Sequence, residues 1–248
     1  MNLGIYQSAA SLSALEQWQN AVAQNISSGQ VTGYRERTVN FSVQNAGEII
    51  LDKSGQPGSD ANQQASFPVA TNAVNFLPGK TEPTGQPLDL AIQSKGFFQV
   101  QLPDGTTAYT RNGQFTTRND GTLVTTGNMP VLSESGTSIV LQRQGGTITV
   151  NPDGVISEGS AQVGRLGVVE FSNPQFLTPI SGGVFTAANT TPEPVQKPEV
   201  LQGYTEASNV SPLHEMVDMV QISRAYEANQ KIITNADQQM QKTMEALG

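Results

Sequence analysis

The stretch that decides the reading runs from residue 211 to 247: SPLHEMVDMVQISRAYEANQKIITNADQQMQKTMEAL. Ser211-Pro212 supplies an N-cap residue and a first-turn proline, and Glu215 places a carboxylate where the helix dipole favours one. From there Met219, Ile222, Tyr226, Asn229, Ile233, Ala236, Met240, Thr243 and Leu247 recur in alternating steps of three and four. That spacing keeps one helix face turned toward a partner helix, a heptad seam in which Asn229 and Thr243 are the polar members. The seam predicts a helix of about 36 residues, roughly 54 Å long.

A second helix is predicted at the other end, from about Leu3 to Ser28 and roughly 39 Å long. Its apolar positions are Ile5, Ala9, Leu12, Leu15, Trp18, Val22 and Ile26, and Ser27-Ser28-Gly29 ends it. Two such helices can pack onto the centre of the chain as ordinary core. Against that, neither lies among other elements in the sequence. The far face of the first carries Gln7, Ser11, Gln17, Gln19, Asn20 and Gln24 where a solvated face usually has Lys and Glu. A polar but uncharged face suits a helix packed among copies of itself, where a charge would be costly to bury. The candidate assembly interface is therefore Ile5, Leu12, Leu15, Trp18, Val22, Asn25 and Ile26, with Met219, Ile222, Tyr226, Ile233, Met240 and Leu247.

The centre reads as β. Asp104-Gly105, Asn112-Gly113 and Asp120-Gly121 recur every eight residues between short β-prone runs, a hairpin signal that predicts a meander. Phe97-Phe98-Gln99-Val100, Thr147 to Val150 and Leu166 to Phe171 are further predicted strands, and Asp153-Gly154 a further turn. Thr191 to Pro198, with three prolines, predicts extended backbone. Ser54 to Lys80 has no clear period and is predicted as a long loop or irregular arm. The expected class is α+β: terminal helices forming a coiled-coil layer and a central, mainly-β domain.

Composition narrows the function. The 248 residues are 36% hydrophobic and only 14% charged, with 24 Gly and 14 Pro, so the chain is polar and rich in turns without charge-driven disorder. The net charge of -8 and the lack of any basic run make nucleic acid and anionic membrane poor partners. With no Cys, disulfides, thiolate chemistry and sulfur-ligated zinc are excluded. The first 34 residues hold one charged side chain, Glu16, and neither a basic n-region nor a continuous apolar stretch. No Sec signal or membrane span is expected there, and export would need another route.

No reactive constellation stands out. His214 is the only histidine, and Asp218 one turn on makes the two a surface helix pair. The Asp-Gly turns lack the acidic run of a calcium loop. Gly145-Gly146 and Gly182-Gly183 do not open a helix carrying Lys, so nucleotide binding has no support. Glu134, Asp153, Glu158 and Glu170 could supply a carboxylate pair, but nothing singles them out. The reading assigns no catalytic, cofactor-binding or metal-binding residue.

Three ordered blocks carry a family resemblance. Leu12 to Tyr34, with Ala23, Asn25, Gly33 and Tyr34 at matching positions, is similar to an A-N-N-L-A-N helix end followed by a T-x-G-[FY] turn. Gln24, Ser28 and Val31 depart from that pattern. Pro87 to Ile92, Gly96 to Val100, Pro103 to Gly105 and Ala108 to Gly113 resemble the start of the same family's β domain. Gly203, Glu206, Ser208 to Val210, Glu215 to Met219 and Arg224 to Glu227 resemble its C-terminal helix motif. The family is that of the flagellar basal-body rod proteins, FlgF and FlgG type, related to the hook protein.

The resemblance implies a non-enzymatic subunit of the axial rod that transmits torque through the cell envelope, without cofactors. Residues 1–34 and 206–248 would form the inner tube layer and residues 35–205 a β-rich outer domain. Partners would be copies of itself, other rod and hook subunits, and the flagellar type III export apparatus, with no nucleic acid and no direct membrane insertion. It would lie in the periplasmic rod, exported without a cleaved Sec signal. Pro87-Leu88-Asp89 and the short segment between Tyr34 and Asp89 look like the proximal-rod, FlgF-like type. Two other classes remain open: a β-rich carbohydrate-active enzyme, and a surface adhesin, each with helical oligomerisation ends.

Overall fold

A computed structural model describes residues 3–46, 65–142 and 146–247. Helix α1 spans Leu3–Ser28 and helix α2 Pro212–Leu247, 26 and 36 residues, so both predicted helices form at their predicted ends. Between them the chain is β, and the α+β class with terminal helices holds. The described chain divides into two compact units, one of Met1–Ile26, Arg37–Ala73 and Ser211–Gly248, the other of Ser27–Glu36 and Val74–Val210.

In the first unit, α1 and α2 accompany a two-stranded ribbon of β1, Arg37–Ala46, and β2, Ala65–Val74. An isolated ribbon is marginal in water and needs a surface to lie on. Here Trp18 of α1 meets Phe41 of β1 edge-on, with ring centroids 5.6 Å apart, and the Gln7 side-chain amide donates to the Ser66 carbonyl at 3.2 Å. β2 corrects the expectation of a loop or irregular arm from Ser54 to Lys80. Residues 65–74 are a strand, while 54–64 lie outside the described residues. Its sequence, ASFPVATNAV, mixes small, polar and Pro positions, and its partner is a distant strand, so no local period marks it.

The second unit is built on a six-stranded antiparallel sheet. Its strand order is Leu177–Pro179, Val184–Ala187, Thr107–Thr110, Phe97–Gln101, Val168–Glu170 and Glu193–Pro194. Successive side chains on a strand point to opposite faces, and Phe97-Phe98 uses both. Phe98 enters a large core with Leu90, Val100, Phe115, Leu123, Val131 and Ile156. Phe97 enters a second core with Tyr109, Val169, Phe171, Leu177 and Phe185. Ile148–Val150, Val155–Glu158 and Ala161–Arg165 form a three-stranded sheet turned at Asp153-Gly154 as predicted.

The predicted meander fails at its middle turn. Thr107–Thr110 pairs with Phe97–Gln101 and Val184–Ala187, whereas Phe115–Thr117 pairs with Leu123–Thr125, so Asn112-Gly113 passes the chain between sheets. Gly113 is required for a different reason. Its backbone lies against Leu90, whose N–H donates to the Gly113 carbonyl at 2.9 Å, and a Cβ there would run into the Leu90 carbonyl oxygen. The Asp104-Gly105 and Asp120-Gly121 hairpins form as expected.

Candidate assembly surface

The interface residues predicted on the two helices fall into two sets. Leu15, Val22 and Ile222 form a buried cluster, flanked by Trp18, Ile26, Met219 and Ala225, so this part of the seam is closed within the chain. Ile222 is 1% exposed. The helices run in opposite directions. Asn25, near the end of α1, bonds Glu215 in the first turn of α2, while Ala9 and Leu12 share a groove of about 710 Å³ with Tyr226 and Glu227.

Asn25 is buried and ties three elements together. Its amide nitrogen donates to the Glu215 carboxylate at 3.0 Å and to the Arg37 carbonyl at 2.8 Å, and its oxygen accepts the Arg37 N–H at 2.8 Å. A side-chain amide carries both donors and an acceptor, so it can match a strand backbone and a carboxylate at once. Asn25 thus acts within the chain, holding the ends of both helices to the start of β1.

Farther along α2 the seam opens. Tyr226 is 39% and Met240 42% exposed, with Ile233 and Ala236 half-buried between them. Asn229 and Thr243 turn back onto their own helix, donating to the Ala225 and Gln239 carbonyls at 3.0 and 2.8 Å. Those bonds leave the seam's remaining positions apolar. The side chains of Ile5 and Leu247 lie outside the described residues. Periodicity missed a second row: Leu213, Met216, Val217 and Val220 are exposed, and at 100° per residue they lie opposite Ile222. Apolar residues immediately after the helix start, off the seam, were the available signal.

The second unit contains the most strongly organised charges. Glu206, 2% exposed, accepts from Arg35 Nη2 at 2.6 Å and the Gly79 N–H at 2.8 Å on one oxygen, and from Arg111 Nη1 at 3.2 Å on the other. Arg111 also donates to the Ile92 and Ser94 carbonyls, both at 2.9 Å, and its guanidinium stands 5.5 Å from the Phe97 ring centroid. Burial, opposed by Glu206 and reinforced by Arg35, pushes the Arg111 pKa down to about 10.

Gly33, at φ +69°, brings the turn after α1 onto this node. Its N–H donates to the Glu206 carbonyl at 2.7 Å, and any Cβ would strike the Arg111 backbone. Asn209 performs a similar task nearby, accepting the Glu36 N–H at 2.7 Å and donating to the Asn75 and Leu77 carbonyls at 2.9 Å. Arg35, Arg111 and Glu206 carried no assigned role in the sequence. The available signal was that Arg111 and Glu206 are isolated charges inside motif blocks of a chain poor in charge, with Arg35 directly after the first block.

His214 and Asp218 are 3.9 Å apart with His214 exposed, the expected surface pair. Among the described residues no cluster of His, Cys, Asp and Glu could hold a metal ion, and no helix is long and apolar enough to cross a membrane.

The long terminal helices leave apolar positions open, Tyr226 and Met240 on the α2 seam among them. Comparison with known proteins specifies the family. Residues 91–158 match the flagellar hook protein FlgE/F/G D1 domain, and residues 201–246 the C-terminal region of flagellar basal body rod FlgEFG proteins. The chain is 32% identical to the flagellar basal-body rod protein FlgF of Caulobacter vibrioides, covering 100% of this chain and 99% of that protein. It is 31% identical to Rhizobium meliloti FlgF with the same coverage, and 31% identical to Buchnera aphidicola FlgG across 90% of this chain and 91% of that one. The chain belongs to the flagellar basal-body rod protein family, of FlgF/FlgG type, and is a structural subunit that assembles with other rod and hook subunits in the basal body. That membership does not favour the carbohydrate-active or adhesin alternatives.

Proposed function

We propose that this subunit transmits torque in the proximal, periplasmic part of the rod, without catalytic activity, and joins its neighbours through the open positions of its terminal helices. The observation that carries this is the α2 seam. Its first positions, Met219 and Ile222, pack against α1, while Tyr226 and Met240 continue the same face exposed. In the assembled rod, residues 1–34 and 206–248 make the inner tube layer and residues 35–205 the β-rich surround, with the β1–β2 ribbon lying on α1. Ile5, Leu12, Tyr226, Ile233, Met240 and Leu247 contribute to contacts between copies. Leu15, Trp18, Val22, Asn25, Ile26, Met219 and Ile222 hold the helices in the form that presents them. Full-length alignment with FlgF relatives, against partial coverage by FlgG relatives, supports the proximal position. The flagellar type III apparatus exports the subunit.

Ile233→Asp tests the surface. A carboxylate at a helix contact with no partner should cost several kcal/mol per interface. The variant should fold and be exported yet fail to build rod, leaving cells non-motile and without hooks. Normal swimming would place Ile233 on a solvated face and remove the proposal.

A further inference from the structure

A cavity of about 520 Å³ in the second unit adjoins the buried charge node. Arg35 and Arg111 both line it, together with the phenylalanines Phe76, Phe97 and Phe171. Lys95 and Glu170 are the other charged residues of the lining, and Glu206 stands behind the two arginines. Arg35, Arg111 and Lys95 against Glu170 and Glu206 leave one positive charge without a counterpart. Arg35 Nε, Arg35 Nη1 and Arg111 Nε are buried and have no hydrogen-bond partner among the described residues.

We propose that this cavity binds a carboxylate carried on an aromatic or aliphatic group, with the guanidinium pair supplying the charge and the phenylalanines the wall. An interior water would satisfy the free donors but leave the charge uncompensated. A bare inorganic anion would meet the charge but gain nothing from the apolar wall. A carboxylate on an apolar stem satisfies both. Arg111 is already held in place by two backbone carbonyls and Glu206, so binding requires little ordering of its side chain. The carboxylate can come from an acidic side chain of another subunit or from a free small acid. The site does not depend on assembly through the helices.

The test is an NMR titration of the isotopically labelled full chain with 3-phenylpropionate, beside the uncharged 3-phenylpropionamide. Saturable shifts are expected at the amides of Gly96, Phe97 and Ser172, with the uncharged compound weaker by about tenfold, the scale of one charge-assisted hydrogen bond. Leu77→Asp, at an exposed lining position, adds a like charge and should weaken phenylpropionate severalfold at low salt, whereas Leu77→Asn should not. Absence of saturable shifts, equal binding of the two compounds, or equal effects of the two variants would overturn the proposal. In cells, loss of swimming with Leu77→Asp but not Leu77→Asn identifies a subunit side chain as the source. Unchanged swimming with both identifies a free acid.

Discussion

At the residue scale the account rests on a few buried polar groups in a chain that has few charges. Asn25 bonds the Arg37 backbone through both ends of its amide and Glu215 through its nitrogen. Asn25→Ala removes these bonds and strands their partners, a cost of about 1–3 kcal/mol read from the urea midpoint. Asn25→Asp should cost more than Asn25→Ala despite its closer shape, because it sets a carboxylate against the buried Glu215. Glu206→Gln leaves two buried guanidiniums facing a neutral amide and should destabilise the second unit by about 3–5 kcal/mol. Burial pushes the Tyr109 phenol above its ordinary pKa. The folded state prefers the protonated phenol, so its contribution is complete below the ordinary phenol pKa and lost as pH rises through the elevated one. An alkaline absorbance titration should show a late step that Tyr109→Phe removes.

At the scale of elements, α1 and α2 share one closed cluster and then diverge in exposure. Ile222→Ala opens the cluster at its most buried residue and should cost about 2–5 kcal/mol. The helices were legible because a period of three and four survives along 26 and 36 residues, and Phe97-Phe98 was legible because a strand with both faces buried reads as consecutive apolar residues. β2 was not, because what makes residues 65–74 a strand is pairing with Arg37–Ala46. Asn112-Gly113 misled because the same dipeptide serves a hairpin and a close backbone approach, and only the position of Leu90 distinguishes them. Half of the candidate surface was legible in the same partial way. The period gave the face of α2, but which of its residues α1 already covers depends on how far the antiparallel helices overlap. The Arg35–Glu206 pair joins residues 171 apart in the chain, a separation at which local pattern carries no information.

At the scale of the whole molecule, the proposed role asks the subunit to keep a folded body while leaving helix surface for its neighbours. In purified monomer, amides around Val22 and Ile222 should exchange slowly and those of the last turns of α2 quickly, since only the former belong to a closed cluster. The most direct test of the central claim is a cryo-EM map of the rod in isolated basal bodies. The account predicts that Tyr226, Ile233 and Met240 of each copy lie against a helix of another copy, in the wall of the tube. A map in which that face of α2 meets water, with the copies joined through their β regions alone, would contradict it.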